Sequence, residues 1–260
     1  MITVEQIAGF LQRLAPPRLA EEWDNVGLLI GDRQKQVQRI MICLTAAPAT
    51  VAEAVQRKAD LIVSHHPLPL KPLRRITADT STGRLLLELI AARVALYSMH
   101  TAFDSARDGI NQRIAAGLNL RGITPLRPHP EGLGAGRFGW LEEAITLGDM
   151  VQRVKTLLSV EHVQFVGAAQ QAVRTVGVAC GAADDFVEIA RDAGCDCLVV
   201  GEARYHTALE AEADGMGLIL AGHFASERFG VRLLAATLAK QFPQLEIWAA
   251  QNERDPIRLG

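Results

Sequence analysis

The chain has 260 residues, with 27 Lys and Arg against 29 Asp and Glu, a formal net charge of −2 and 49% apolar residues. That balance describes a globular protein with a sizeable core and excludes a nucleic-acid binder driven by bulk positive charge. No apolar run approaches the roughly 20 residues that span a bilayer, and the N-terminal residues lack the basic start and apolar core of a secretion signal, so no membrane partner and a cytoplasmic location are expected.

Thr3-Val4-Glu5-Gln6 reads as a capping box opening an amphipathic helix, with Ile7, Phe10, Leu11 and Leu14 on one face and Pro16-Pro17 ending it. A polar loop from Glu21 then leads through Trp23-Asp24-Asn25 into a short strand near Leu28 to Ile30. Those three residues form either an Asx turn or a loop lining a site, and composition does not choose. Arg39 to Leu44 is a strand, Pro48 to Lys58 a helix and Asp60 to Ser64 a second strand, a βαβ unit that implies a parallel sheet. After a basic loop with Lys71, Arg74 and Arg75, Ser81 is expected to cap a helix through Arg93, with a strand from Val94 to Ser98 and a helix over roughly 108–116. Arg121 to Gly139, with three prolines and five glycines, reads as a linker. The rest alternates strand and helix to a long helix ending near Gln241 and a last strand at Leu245 to Ala249. The expectation is an α/β fold, with a first domain over 1–124 that can also receive C-terminal elements and a second over 125–260.

Cys43, Cys180, Cys195 and Cys197 lie in or beside apolar, strand-like runs and read as buried thiols. The one-residue spacing of Cys195 and Cys197 is neither a zinc knuckle nor a redox dithiol.

The chain also resembles itself. Arg39 to Leu44, a helix and Asp60 to Val63 match Arg174 to Ala179, a helix and Asp196 to Val199. Further on, a strand runs into His100-x-x-x-Asp104 in the first half and into His223-x-x-x-Glu227 in the second. Gly201-Glu202 stands where the first half has His65-His66, so a shared site is expected to be asymmetric. Duplication and the common pattern of α/β units both account for the likeness.

The chemistry concentrates at strand ends. Asp60 to Ser64 runs into His65-His66, and Pro67 stops the strand. The carboxyl ends of strands are where open α/β sheets build their sites. His65, His66, Asp104, His223 and Glu227 are the candidate metal ligands: imidazole and carboxylate suit zinc, manganese, iron, cobalt or nickel. Five donors are too many for one catalytic zinc with open positions and suit two metals sharing a carboxylate. His100 and His206 are candidates for carrying protons, and Glu202 for steadying the site from behind.

Trp23 to Leu28, Ser64 to Pro67, His100-Thr101 through Asp104, Gly201-Glu202 through His206 and Gly222-His223 through Glu227 resemble, in order, the motifs of the Nif-three-like family, whose bacterial members are often named GTP cyclohydrolase I type 2 homologs. The resemblance covers nearly the whole chain. It implies two related, intertwined α/β/α domains with a dinuclear metal site in the cleft between them, held by the five candidate ligands with Glu227 bridging. It also implies a ring-like homo-oligomer, commonly a hexamer built from dimers. Ala102-Phe103 departs from the family's pattern, which often has Asn after the Thr, and the segment 121–139 is too short to hold the extra domain of longer relatives. The function expected is a hydrolase in which a metal pair supplies hydroxide, acting on a small anionic substrate or nucleotide. A metal-binding scaffold with little turnover and a two-metal phosphoesterase are the alternatives.

Overall fold

The computed structural model describes residues 1–130 and 133–258. In chain order, α1 (Val4–Leu14), β1 (Gly27–Ile30), β2 (Arg39–Cys43), α2 (Pro48–Gln56), β3 (Leu61–Ser64), α3 (Ser81–Ala91), β4 (Ala95–Ser98) and α4 (His100–Ser105) come first. Then follow α5 (Ile110–Gly117), β5 (Arg121–Thr124), the two-residue strands β6 (Arg127–Pro128) and β7 (Gly134–Ala135), β8 (Arg137–Thr146), α6 (Leu147–Leu158), β9 (Gln164–Val166) and β10 (Ala172–Ala182). The chain closes with α7 (Phe186–Asp192), β11 (Cys197–Glu202), α8 (Tyr205–Ala213), β12 (Gly217–Leu220), α9 (His223–Gln241) and β13 (Glu246–Ala249). The fold is α/β, and no helix among the described residues is long and apolar enough to cross a membrane.

The chain divides into two compact units, Met1–Phe103 with Val231–Gly260, and Asp104–Gly230. The boundary expected at 124/125 therefore falls at 103/104. The reason is strand pairing: β5 joins β8 within the second unit, while β13 returns to pair with β2 in the first.

The first unit is built on a sheet of order β1-β4-β3-β2-β13. β13, β2, β3 and β4 run parallel and β1 lies antiparallel on β4. β3 and β4 are buried along their whole length, the signature of parallel strands covered on both faces. On one face Met41, Ile62 and Leu96 receive Val51 and Ala54 of α2 and Leu85 and Leu89 of α3. Truncating the fully buried Leu89 to Ala would cost about 2–5 kcal/mol. α1 opens on the expected capping box, with the Thr3 N–H donating to Gln6 Oε1 at 2.9 Å. α3 does not open as expected: Thr80, not Ser81, is its cap, and the Thr80 hydroxyl accepts from the Gly83 N–H at 3.0 Å.

The second unit has a six-stranded sheet of order β5-β8-β10-β11-β12-β9. β10, β11 and β12 are parallel, β9 lies antiparallel on β12, and β8 lies antiparallel on both β5 and β10. The expected linker over 121–139 is thus mostly strand, apart from residues 131 and 132, which lie outside the described residues. Two of its glycines serve close pairing: a Cβ at Gly139 would strike the Arg121 carbonyl, and Gly122 has φ +59 and lies under the Trp140 ring. Arg137 is buried and donates to the carbonyls of Gly134, Gly136, Ser105 and Ala106 and to Gln112, and burial holds its pKa down to about 10.

The internal repeat reappears in the hydrogen bonds. Asp60 accepts from the N–H groups of Gln38 and Arg39, and Asp196 likewise from those of Arg174 and Thr175. Left-handed turns precede the paired strands in both units, at Lys58 and Arg93 in the first and at Gly194 and Gly215 in the second. The strand rows β1-β4-β3-β2 and β9-β12-β11-β10 correspond. One detail differs from the sequence alignment. The His100 N–H donates to the His65 carbonyl and the Gly222 N–H donates to the Gly201 carbonyl, so His100 corresponds to Gly222 rather than to His223. Both have positive φ, 26° at His100 and 91° at Gly222. The position demands a left-handed backbone, which glycine adopts freely and histidine only under strain of about 1–3 kcal/mol.

Candidate metal centre

In the first unit four parallel strands end along one edge of the sheet. β13 is followed by Gln251 to Glu253, β2 by Thr45, β3 by His65-His66 and β4 by His100. β1 starts beside the end of β4, with Gly27 opposite Ser98, which brings the loop carrying Trp23, Asp24 and Asn25 to the same edge. The backbone turns after β3 because the N–H groups of His65 and His66 donate to the carbonyls of Cys43 and Leu44, while Ser64 Oγ and Ser98 Oγ donate to the carbonyls of His66 and His65. His65, His66 and His100 then gather, with ring centroids 5.1 to 5.4 Å apart. Each offers a ring nitrogen, and the three nitrogens lie within 4.8 Å of one another.

Two of these rings are held from behind. Asp24 Oδ1 lies 2.7 Å from His100 Nδ1; a carboxylate only accepts, so Nδ1 carries the hydrogen and Nε2 keeps its lone pair. The same carboxylate accepts from the Thr101 N–H and hydroxyl. Burial pushes the Asp24 pKa up, but the hydrogen bonds from His100 and Thr101 outweigh it and hold the carboxyl below its ordinary range. Behind His66 stands Thr45, whose Oγ1 is 2.8 Å from His66 Nδ1. Thr45 is itself fixed: its N–H donates to Glu253 Oε1 at 2.8 Å and its carbonyl accepts from the Thr50 hydroxyl at 2.7 Å. The tail bearing Glu253 is pinned by buried Glu53, which accepts from Trp248 Nε1 and from the N–H groups of Gln251 and Asn252.

In the second unit His223 opens α9 and Glu227 lies one turn later, with Nε2 3.1 Å from Glu227 Oε2. His223 Nδ1 lies 2.9 Å from Glu202 Oε1, at the end of β11. An imidazole between two carboxylates keeps its proton: the Glu227 hydrogen bond dominates, Glu202 adds to it, burial opposes, and the pKa rises to about 9. Gly181, at a bulge in β10 with φ +68, faces this pair, and a Cβ there would collide with Glu227 Oε1. Asp104 lies beside Cys180, whose Sγ donates to Oδ1 at 3.2 Å, and Asn111 bridges the two, donating to the Asp104 carbonyl and accepting from the Cys180 N–H. Burial, and then the negative Asp104 and Glu227, push the Cys180 thiol well above its ordinary range, so it stays protonated.

Each residue named from the sequence has a definite place. His65, His66 and His100 share one sheet edge, and His223 and Glu227 are directly paired. Asp104 is on α4, four residues after His100. Glu202, expected to steady the site, meets His223 at Nδ1. His206 is exposed at the start of α8 beside Tyr205, and belongs to none of the donor groups among the described residues. Sequence reasoning gave no site role to Thr45, Glu253, Gly181 or Cys180; only the doubled histidine and the strand ends pointed to this region. No Asx turn is formed at Asp24 by the bond observed, since Oδ1 accepts from the N–H of the next residue, Asn25, and not from the one two residues on; the same carboxylate meets His100. Ala102 and Phe103, where the family's pattern often has Asn, are buried core.

The donors fit divalent metal. They are nitrogen and oxygen atoms of the borderline kind, His100 has Nδ1 engaged by a carboxylate so that Nε2 keeps its lone pair, His223 Nε2 faces the Glu227 carboxylate, and Gly181 leaves room against Glu227 that any side chain would fill.

The profile described as Duf34/NIF3 (NGG1p interacting factor 3) matches residues 2–256. A Clostridium acetobutylicum protein called GTP cyclohydrolase 1 type 2 homolog is 31% identical over 265 residues, covering 99% of each chain. A Streptomyces coelicolor protein of the same name is 34% identical, covering all of this chain and 89% of its own. Among solved structures, a Bacillus cereus protein related to NIF3 superposes with a TM-score of 0.90 over 100% of this chain and 99% of its own, at 24% identity, which speaks to the fold.

Proposed function

Because the chain belongs to the Duf34/NIF3 family, we propose that it is a metal-dependent hydrolase in which His65, His66, Asp104, His223 and Glu227 hold two divalent cations, with Glu227 shared. The observation that carries this reading is the gathering of imidazoles at one sheet edge, with the outer nitrogens of His66 and His100 already engaged. Chain continuity supports joining the two donor sets, since α4 carries His100 and Asp104 one turn apart on a single helix.

Such a pair of cations supplies Lewis acidity and, near neutral pH, a hydroxide nucleophile. The chain's own groups do the rest. Asp24 fixes the His100 tautomer, so His100 Nε2 is the site that takes a proton from the attacking water and returns it to the leaving group. Of the two histidines expected to carry protons, His100 is the one with a carboxylate at its outer nitrogen, and we assign the role to it. Thr45 and Glu202 orient His66 and His223, and the protonated Cys180 donates to Asp104. The relatives' name points to GTP ring opening as the first reaction to test. The assembly that accompanies this reading is a homo-oligomer, a hexamer, which the mass of the intact particle tests.

The experiment is metal-reconstituted protein assayed with GTP and with generic phosphodiesters, alongside His65→Ala and Glu227→Ala. GTP turnover lost in both variants supports the proposal. Phosphodiester cleavage alone points to a phosphoesterase, and stable metal without turnover to a scaffold.

A further inference from the structure

Trp23 is 61% exposed although it is one of the largest apolar side chains in the protein. The loop around it is nevertheless held on all sides. The Glu21 N–H donates to Thr101 Oγ1 at 3.0 Å, the Asp24 N–H donates to the Glu21 carbonyl at 3.0 Å, and the Asp24 carboxylate grips His100 and Thr101. Asn25 Nδ2 donates to the Pro69 carbonyl at 2.7 Å, tying this loop to the segment that follows the paired histidines. The indole therefore stands in solvent on a tethered loop at the rim of the histidine cluster, its centroid 5.7 Å from that of His100 with the rings at 76°. The segment tied to it continues exposed over 70–80 and carries Lys71, Arg74 and Arg75 with no acidic residue until Asp79.

An exposed indole on a tethered loop beside a reactive cluster is a stacking surface for a planar ring, since aromatic faces bind any base and lose little conformational freedom in doing so. The cations carried by the tethered segment suit a polyanion. We propose that Trp23 stacks the planar heteroaromatic base of a nucleotide, and that Lys71, Arg74 and Arg75 receive its phosphates. The inference names the substrate class of the hydrolase proposed above and rests on that reading for its catalytic meaning. It places the base at the rim of the histidine cluster that would act on it.

The test measures equilibrium binding of GTP, guanosine and inorganic triphosphate to the full chain, metal-reconstituted and metal-free, with metal content and particle mass determined on every sample. Trp23→Ala should weaken GTP and guanosine about 10- to 100-fold and leave triphosphate unchanged, and Trp23→Phe should stay within about threefold of the parent. The triple change Lys71→Ala, Arg74→Ala, Arg75→Ala should weaken GTP and triphosphate but not guanosine. The inference is overturned if Trp23→Ala binds GTP like the parent, or if the parent binds no nucleotide in either state. It is equally overturned if Trp23→Ala breaks the particle apart while affinity per chain is unchanged, for the indole is then a subunit contact. Failure of the metal reading looks different: the parent takes up no metal, and the metal-free titrations still decide the role of Trp23.

Discussion

Asp24 Oδ1 and His100 Nδ1 meet at 2.7 Å across 76 residues of sequence, with the Asp24 side chain wholly buried and that of His100 13% exposed. A carboxylate on the outer nitrogen of a site histidine fixes both ring orientation and tautomer. Asp24→Ala should lower turnover of the metal-loaded protein about 10- to 100-fold. Unaltered turnover with unaltered metal content would remove Asp24 from the mechanism.

The C-terminal tail acts on His66 through Thr45. With Glu53 pinning residues 251 and 252, Glu253 accepts from the Thr45 N–H, and Thr45 meets His66 Nδ1. Thr45→Val and Glu253→Ala should each weaken metal uptake about 10- to 100-fold while the far-ultraviolet circular dichroism stays that of the parent. Glu253→Gln, which keeps an acceptor for the N–H, should recover most of the loss. Parental affinity in Thr45→Val, measured by competition with a chelating dye, would contradict the tether.

Gly181 tests how closely the bulge in β10 approaches Glu227. Alanine there meets a left-handed backbone, φ +68, and collides with the carboxylate. The backbone term alone costs about 1–2 kcal/mol, so Gly181→Ala should lower the melting temperature and displace Glu227 enough to impair metal uptake. A stable variant with full metal content would show that the approach is looser than described.

His223 gives a pH signature in the metal-free protein. Its folded pKa of about 9 lies above the ordinary 6.5, so the folded state holds the proton more tightly. That contribution to stability is complete below about pH 6.5 and is lost as pH rises through about 9. Melting temperature in chelator should fall across this window by more in the parent than in His223→Ala, and cation uptake at neutral pH should release a proton. Parallel curves for the two proteins would contradict the His223–Glu227 pairing.

Much of this was readable from the chain. The uninterrupted apolar runs of β2, β3 and β4 announce parallel, doubly covered strands, and a histidine pair stopped by Pro67 marks a strand end. Asp60 and Asp196 recur because the same backbone amides need the same acceptor. The misreadings share a cause, which is that local composition is silent about distant partners. The glycines between 121 and 139 suggest a linker, but Gly122 and Gly139 let β5 and β8 pair closely under Trp140. The repeat was aligned on the identity of His100 and His223, whereas the backbone demand for positive φ aligns His100 with Gly222. Glu253 and Thr45 carry no mark of their roles, because their partners are set by the pairing of β13 with β2.

The central claim is that this chain grips two cations with His65, His66, Asp104, His223 and Glu227. Elemental analysis of the parent after reconstitution with zinc, manganese or iron, beside His65→Ala and Glu227→Ala, tests it most directly. The account predicts two metal ions per chain in the parent for at least one of these metals and loss of at least one in each variant. A parent that retains none, or variants that retain as much as the parent, would contradict it.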